Sequence, residues 1–184
     1  MNLDEIRQRL RPVVARCVMH GDFTLASGRK SDLYFDGRLV TLSSEGLPLV
    51  AEAVLEMIRG QGVSVAGGMS IGADPITGGV VALAGAKGLA LTGFVVRKEP
   101  KTHGTGRQVE GPRPPPRSRA VLLEDVVTTG GSSLKALEAV RREWPDVEVT
   151  AVIALLDRLE GGREAIEAAG AQFRPIFTRR DFDG

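Results

Sequence analysis

The sequence predicts a doubly wound α/β domain, a central parallel sheet with helices on both faces. Three observations carry this. From about residue 63 onward, strand-length apolar runs alternate with helical segments, and strands that are apolar throughout belong to a parallel sheet covered on both sides. At 184 residues the chain suits one domain with a single sizeable core. The stretch VLLEDVVTTGGSS, Val121 to Ser133, runs from an apolar strand through two adjacent acids into a Gly-rich turn and then a helix. That edge of an open α/β sheet is where ligands bind.

The elements follow in order. Leu3, Ile6, Leu10, Val13, Val14 and Cys17 recur at helical spacing, with Asn2 placed to cap and Glu5 three residues on. Pro12 is expected to bend or divide that helix. Residues 21–42 read as strand, turn, strand, with Ser-Gly at the bend, and a second amphipathic helix is expected from about Ser44 to Arg59. VSVAGG then reads as a strand, DPITGGVVALAGAKG as a helix rich in small residues, and LALTGFVVR as a strand. RAVLLEDV is the next strand, SSLKALEAVRREW a helix stopped by Pro145, and VEVTAVIALLD a strand. GREAIEAAG is the last helix and QFRPIFT the closing strand. Nothing marks an internal repeat or a second large domain, so residues 1–184 are expected to form one.

Composition excludes several classes of function. A net charge of +1 does not suit a general nucleic-acid binder, so any basic function must be local. No run of about 18 apolar residues is present to span a membrane. The start, MNLDEIRQRLRP, is charged and lacks the apolar core of a secretory signal. Cys17 is the only cysteine and falls on an apolar helical face, where a small buried side chain explains it. A cytoplasmic protein with no membrane and no nucleic-acid partner is the expectation.

The Gly-rich turn suits a phosphate. Thr128 to Ser133 lead into a helix N-terminus, whose open N–H groups and dipole favour an anion. Gly130 and Gly131 let the backbone close around it, and the hydroxyls of Thr128, Thr129, Ser132 and Ser133 add donors. No Lys follows the glycines, so this is not a Walker A loop. A phosphate would repel Glu124 and Asp125, which therefore need hydroxyl or cationic partners. A ribose 5-phosphate meets both demands, with its phosphate in the turn and its 2- and 3-hydroxyls against the acids. Negative charge below the sugar would also stabilise a cation developing at the anomeric carbon. The plain alternative for the acids is a solvated strand end, which the adjoining turn disfavours.

Residues 98–118, KEPKTHGTGRQVEGPRPPPRS, contain Val109 as their single aliphatic residue in a run of charge, Gly and Pro. So long a loop in a compact domain is usually functional or disordered, and Lys98, Lys101, His103 and Arg107 favour a lid over an anion.

The four apolar positions, two acids and T-T-G-G-S resemble the phosphoribosyl pyrophosphate (PRPP) signature of the type I phosphoribosyltransferases. FTLASGRKSDLYFDGR resembles the N-terminal base-binding hood of the orotate-specific branch, and RKEPKTHGTGR its flexible catalytic loop. Asp157-Arg158 matches the pair whose arginine meets orotate. The resemblance covers about residues 20 to 165. It implies a type I phosphoribosyltransferase-like fold, with residues 1–42 as N-terminal helix and hood and 98–118 as the flexible loop. It also implies Mg²⁺-bound PRPP, displacement of pyrophosphate from C1 by a base nitrogen, and a homodimer whose loop reaches the neighbouring subunit's site.

Carried over residue by residue, the resemblance assigns Lys101, His103 and Asp125 to catalysis. PRPP binding falls to Arg97, Lys98, Lys101, His103, Glu124, Asp125, Thr128, Thr129, Gly130, Gly131 and Ser132. Orotate binding falls to Phe23, Ser27, Thr128 and Arg158. No direct protein ligand to Mg²⁺ is expected; the ion is held through PRPP and reaches Asp125 through water. Pyrophosphate leaves with several charges, so a closing cationic loop would neutralise it and expel water. His103 would donate to it, and Arg158 would take the orotate carboxylate in a bidentate pair. Ser70, Gly72 and Ala73 would offer backbone donors to pyrophosphate. Many bacterial members carry Lys where this chain has Ala26, and Arg29 or Lys30 stands nearby to replace it. The other readings are a PRPP- or nucleotide-sensing regulator of the same family and a purine phosphoribosyltransferase. The complete cationic loop argues against a sensor.

Overall fold

The computed structural model describes residues 1–24, 30–100 and 106–183. Its six-stranded sheet comprises β3 (Val63–Met69), β4 (Thr92–Val96), β5 (Val109–Glu110), β6 (Arg119–Val127), β7 (Glu148–Asp157) and β8 (Gln172–Thr178). The spatial order is β5-β4-β3-β6-β7-β8, parallel except for the antiparallel edge strand β5. Alternate residues of β6 feed two cores. Val121 and Leu123 pack under the first four helices, α1 (Leu3–Ala15), α2 (Arg38–Thr41), α3 (Gly46–Ile58) and α4 (Ala73–Ala86). Ala120 and Leu122 pack under α5 (Gly131–Glu143) and α6 (Gly162–Ala168). This is the two-faced burial that uniformly apolar strands require. A separate antiparallel pair, β1 (Val18–Thr24) with β2 (Lys30–Phe35), forms the hood.

Asn2 caps α1 through a full capping box with Glu5. Pro12 does not divide the helix, which continues to Ala15. Proline removes only its own N–H, and the Pro12 carbonyl still accepts from Arg16 N. Cys17 is partly buried against the same core.

Three expectations change. Residues 38–41 are helical rather than extended, because the Asp36 carboxylate accepts the Arg38 N–H at 3.1 Å and turns the chain. The following helix starts at Gly46, not Ser44. The segment 98–118 is not structureless over its second half. Val109 is buried and pairs with Val96, and Glu143 of α5 accepts the N–H groups of Gln108 and Val109 at 2.9 and 3.1 Å. One aliphatic residue sufficed because a two-residue edge strand buries only one face.

Candidate active site

The site opens where the sheet changes direction. The chain leaves β3 through α4 toward β4 on one side, and leaves β6 through α5 toward β7 on the other. The β3–β6 ladder ends at Leu122, whereas the β6–β7 ladder continues to Val127. The C-terminal ends of β3 and β6 therefore part, and Glu124 and Asp125 stand beside the gap. Such a switch point is the ligand crevice of an open α/β sheet. Gly67 and Gly68 line the approach. They lie within β3, where an added Cβ would fall 2.0 Å from Phe94 O or 2.1 Å from Leu123 O, so both serve sheet packing rather than a turn.

Beyond the acids the chain makes the expected turn. Gly130 takes φ +82° as the N-cap residue of α5, and no side chain caps that helix. The first N–H groups are thus left to a ligand. An added Cβ at Gly130 would also fall 3.2 Å from Gly162 O, because the turn rests on the start of α6. Thr128, Thr129, Gly131 and Ser132 complete this rim. Ser133 instead is buried and hydrogen-bonds to Glu124.

The two acids differ in setting. Glu124 is 6% exposed. Burial, aided by the neighbouring Asp125 charge, pushes its carboxyl up to about 8, against the Ser133 hydrogen bond. Asp125 is also raised, first by burial, while the Val126 N–H at 2.8 Å favours its charged form. Its carboxylate is wedged between two backbones: a Cβ at Gly72 would fall 2.5 Å from Oδ1, and one at Gly37 would fall 2.9 Å from Oδ2. Glycine at both positions gives the acid its place.

A pH dependence of stability follows. A carboxyl whose folded value is raised binds its proton more tightly in the folded chain. Its contribution is complete below the ordinary glutamate value of 4.5 and is lost as pH rises through about 8. The ligand-free protein is expected to melt roughly 5 °C lower at pH 8.5 than at pH 6, with Glu124→Gln flattening the slope. Thermal scans of both proteins across that range check it; equal slopes would contradict the burial assigned to Glu124.

A cavity of about 380 Å³ lies over the acids, between the hood end (Tyr34 to Arg38) and the Ser70–Gly72 loop, with Lys98 and Ser132 on its rim. Lys98 therefore shares a cavity with the acid pair and with Ser132 of the Gly-rich turn. Another cavity, of about 440 Å³ between α1, α3 and the loop before β4, contains neither acid and none of the turn. Ser70 N donates to Val96 O at 2.8 Å, so Ser70 offers its backbone to the sheet instead of an anion. Gly72 and Ala73 open α4, which also has no side-chain cap. The Ser70–Ile71 peptide is cis.

The hood closes the other side. Phe23 is partly buried on β1, its ring centroid 5.5 Å from that of Tyr34. Arg158 N donates to Val127 O at 2.9 Å, which sets Arg158 beside Thr128. The Arg158 guanidinium is buried, with Nη2 3.1 Å from Leu33 O of the hood and 3.0 Å from Glu160 Oε1. An ion pair with Glu160 is thus present, but it is buried beneath β2 and not a surface contact. Arg97 pairs with Glu110 at 3.3 Å and is fixed through its backbone to Gln108, so it braces the base of the loop. Ser27, Ala26 and Arg29 of the hood and Lys101 and His103 of the loop lie outside the described residues.

Two features of the site escaped the sequence reading. Gly37 and Gly72 confine Asp125 from two distant loops, and Arg38 stands at the cavity rim in a bidentate pair with Asp36. The local signal for the second was the Asp-x-Arg spacing after the hood tyrosine.

The comparisons with known proteins agree with this geometry. No family model matches the chain. The orotate phosphoribosyltransferase of Rhodopirellula baltica is 46% identical over 192 residues, covering 99% of this chain and 98% of the relative. Among solved structures, orotate phosphoribosyltransferase of Mycobacterium tuberculosis H37Rv in complex with Fe(III) dicitrate superposes with TM-score 0.81. It is 37% identical and covers 97% of this chain and 99% of that one. The complex of the Mycobacterium tuberculosis enzyme with PRPP gives TM-score 0.77 at 33% identity, covering 96% and 98%.

Proposed function

This chain belongs to the orotate phosphoribosyltransferase family, and from that premise we propose how its own residues transfer the ribose 5-phosphate of PRPP to orotate. The products are orotidine 5′-monophosphate and pyrophosphate, on the route to UMP. The observation that carries the reading is the crevice between β3 and β6, where buried Glu124 and half-buried Asp125 adjoin an uncapped Gly-rich turn.

Thr128 to Ser132 hold the 5-phosphate through the α5 N-terminus. Glu124 and Asp125 hydrogen-bond the ribose hydroxyls, and the Asp125 charge favours positive charge at C1 as its bond to pyrophosphate breaks. A ring nitrogen of orotate forms the new bond, and pyrophosphate takes the electron pair. Lys98, Lys101 and His103 meet the charge that develops on it. Phe23 and Ser27 hold the base at the hood, beside Thr128 and Arg158.

Mg²⁺ fits this donor set in one way. Among the described residues no three His, Cys, Asp or Glu side chains stand together as a metal cage. The Asp125 carboxylate, confined by Gly37 and Gly72, is set to meet the hydration shell of an ion carried by PRPP. When bound, the ion supplies charge neutralisation to the pyrophosphate.

The homodimer is part of this proposal. Leu39, Leu42 and Ile71 are 58%, 71% and 64% exposed, and such apolar side chains are what a second copy would cover. The cytoplasm is the proposed location; among the described residues no helix is long and apolar enough to cross a membrane.

The test of the base assignment is Arg158→Gln. Orotate KM is expected to rise about 30-fold, the loss of one charge-assisted pair, with PRPP KM changed little. Equal rises in both would make Arg158 a structural tie between Glu160 and the hood.

A further inference from the structure

Among the described residues, the cavity over the acid pair has three acidic side chains on its lining, Asp36, Asp125 and the largely protonated Glu124, and two cations, Lys98 and Arg38. A site that accepts a polyanion needs its cations well placed, and Arg38 is held with unusual care. Asp36 Oδ1 accepts its Nε and Oδ2 its Nη2, both at 2.9 Å, while Oδ1 also accepts the Arg38 backbone N–H at 3.1 Å. One carboxylate thus fixes both ends of one residue. The pairing uses a single edge of the guanidinium, and an arginine has further donors beyond that edge.

Stability does not account for the arrangement. The Arg38 side chain is 53% exposed, and ion pairs at such positions contribute little to folding. Geometry gives it a different task. Across the same cavity lies the Ser70–Gly72 loop, leading into the uncapped start of α4. An anion between them would meet the guanidinium on one side and the start of a fourteen-residue helix on the other, where the Asp74 N–H already donates to Ile71 O at 3.2 Å. Asp36 also faces Asp125 closely enough for its charge to disfavour ionisation of that acid. The Arg38 charge acts the other way and favours the ionised form of Asp125.

We infer that Arg38 is a substrate-binding cation that grips the pyrophosphate group of PRPP, and that Asp36 is its positioning residue. The inference deepens the function proposed above and rests on it for the identity of the ligand. The guanidinium fits the planar, paired oxygens of a diphosphate better than an ammonium would, so lysine at this position restores only part of the grip.

The test is calorimetric titration of the full chain with Mg²⁺-pyrophosphate, Mg²⁺-PRPP and ribose 5-phosphate, alongside steady-state kinetics. Arg38→Ala is expected to weaken pyrophosphate and PRPP about 10- to 100-fold. Ribose 5-phosphate binding and orotate KM should stay unchanged. Arg38→Lys is expected to recover part of the loss, and Asp36→Asn to give a smaller loss of the same kind. Unchanged pyrophosphate affinity with a lower melting temperature would make the pair structural and overturn the inference. Uniform weakening of all three ligands would mean a distorted site and overturn it too. Because these titrations need no turnover, a wild-type protein that binds pyrophosphate without consuming orotate would sink the proposed reaction, while the Arg38 comparison still decides the inference.

Discussion

Lys101→Ala is expected to lower kcat by about two to three orders of magnitude while PRPP affinity falls less than about tenfold. The reasoning is electrostatic. Pyrophosphate gains charge as its bond to C1 breaks, so a cation brought to it by the loop is most effective in the transition state. The Arg97 and Gln108 ends of this loop are tied by reciprocal hydrogen bonds of 2.9 Å, which fixes where the intervening residues start and finish. Binding of PRPP before the transition state relies more on the phosphate turn, which the substitution leaves alone. Comparing kcat from a saturated assay with PRPP affinity from calorimetry checks it. Equal losses in both would reduce Lys101 to a ground-state contact.

Asp125→Asn is expected to cost about 100-fold in kcat/KM for PRPP. The substitution keeps the shape between Gly37 and Gly72, so the acid's charge is tested without opening a cavity. Its consequence should exceed that of Glu124→Gln, because burial already holds Glu124 protonated up to about pH 8 and the amide resembles that neutral form. The ordering of the two variants, measured at pH 7 with saturating orotate, is the diagnostic. A larger loss at Glu124 would reverse the roles assigned to the pair.

The sheet and the Gly-rich turn were legible because their signals are local. Val121 to Leu123 are apolar without alternation, and Gly130 stands where the backbone needs φ +82°. The two faces of the sheet followed from the same pattern. What the sequence hid depends on chain segments that meet only in the fold. Asp125 is positioned by Gly37 and Gly72, which come from the hood and from the end of β3. Val109 becomes a strand because β4 offers an open edge and Glu143, far along the chain, accepts its N–H. The motif singled out Arg158, but its burial under Leu33 and its pair with Glu160 needed the hood in three dimensions. The turn at Asp36 was misjudged for a simpler reason. The apolar run through Leu39, Val40 and Leu42 continues past the point where a side-chain hydrogen bond ends the strand.

The central claim is that this chain joins orotate to the ribose 5-phosphate of PRPP in the crevice between β3 and β6. The most direct measurement mixes purified protein with Mg²⁺, PRPP and orotate and follows orotate absorbance. The account predicts a loss that requires both PRPP and Mg²⁺ and yields pyrophosphate in equal amount. Unchanged absorbance, with PRPP binding confirmed by calorimetry, would contradict it.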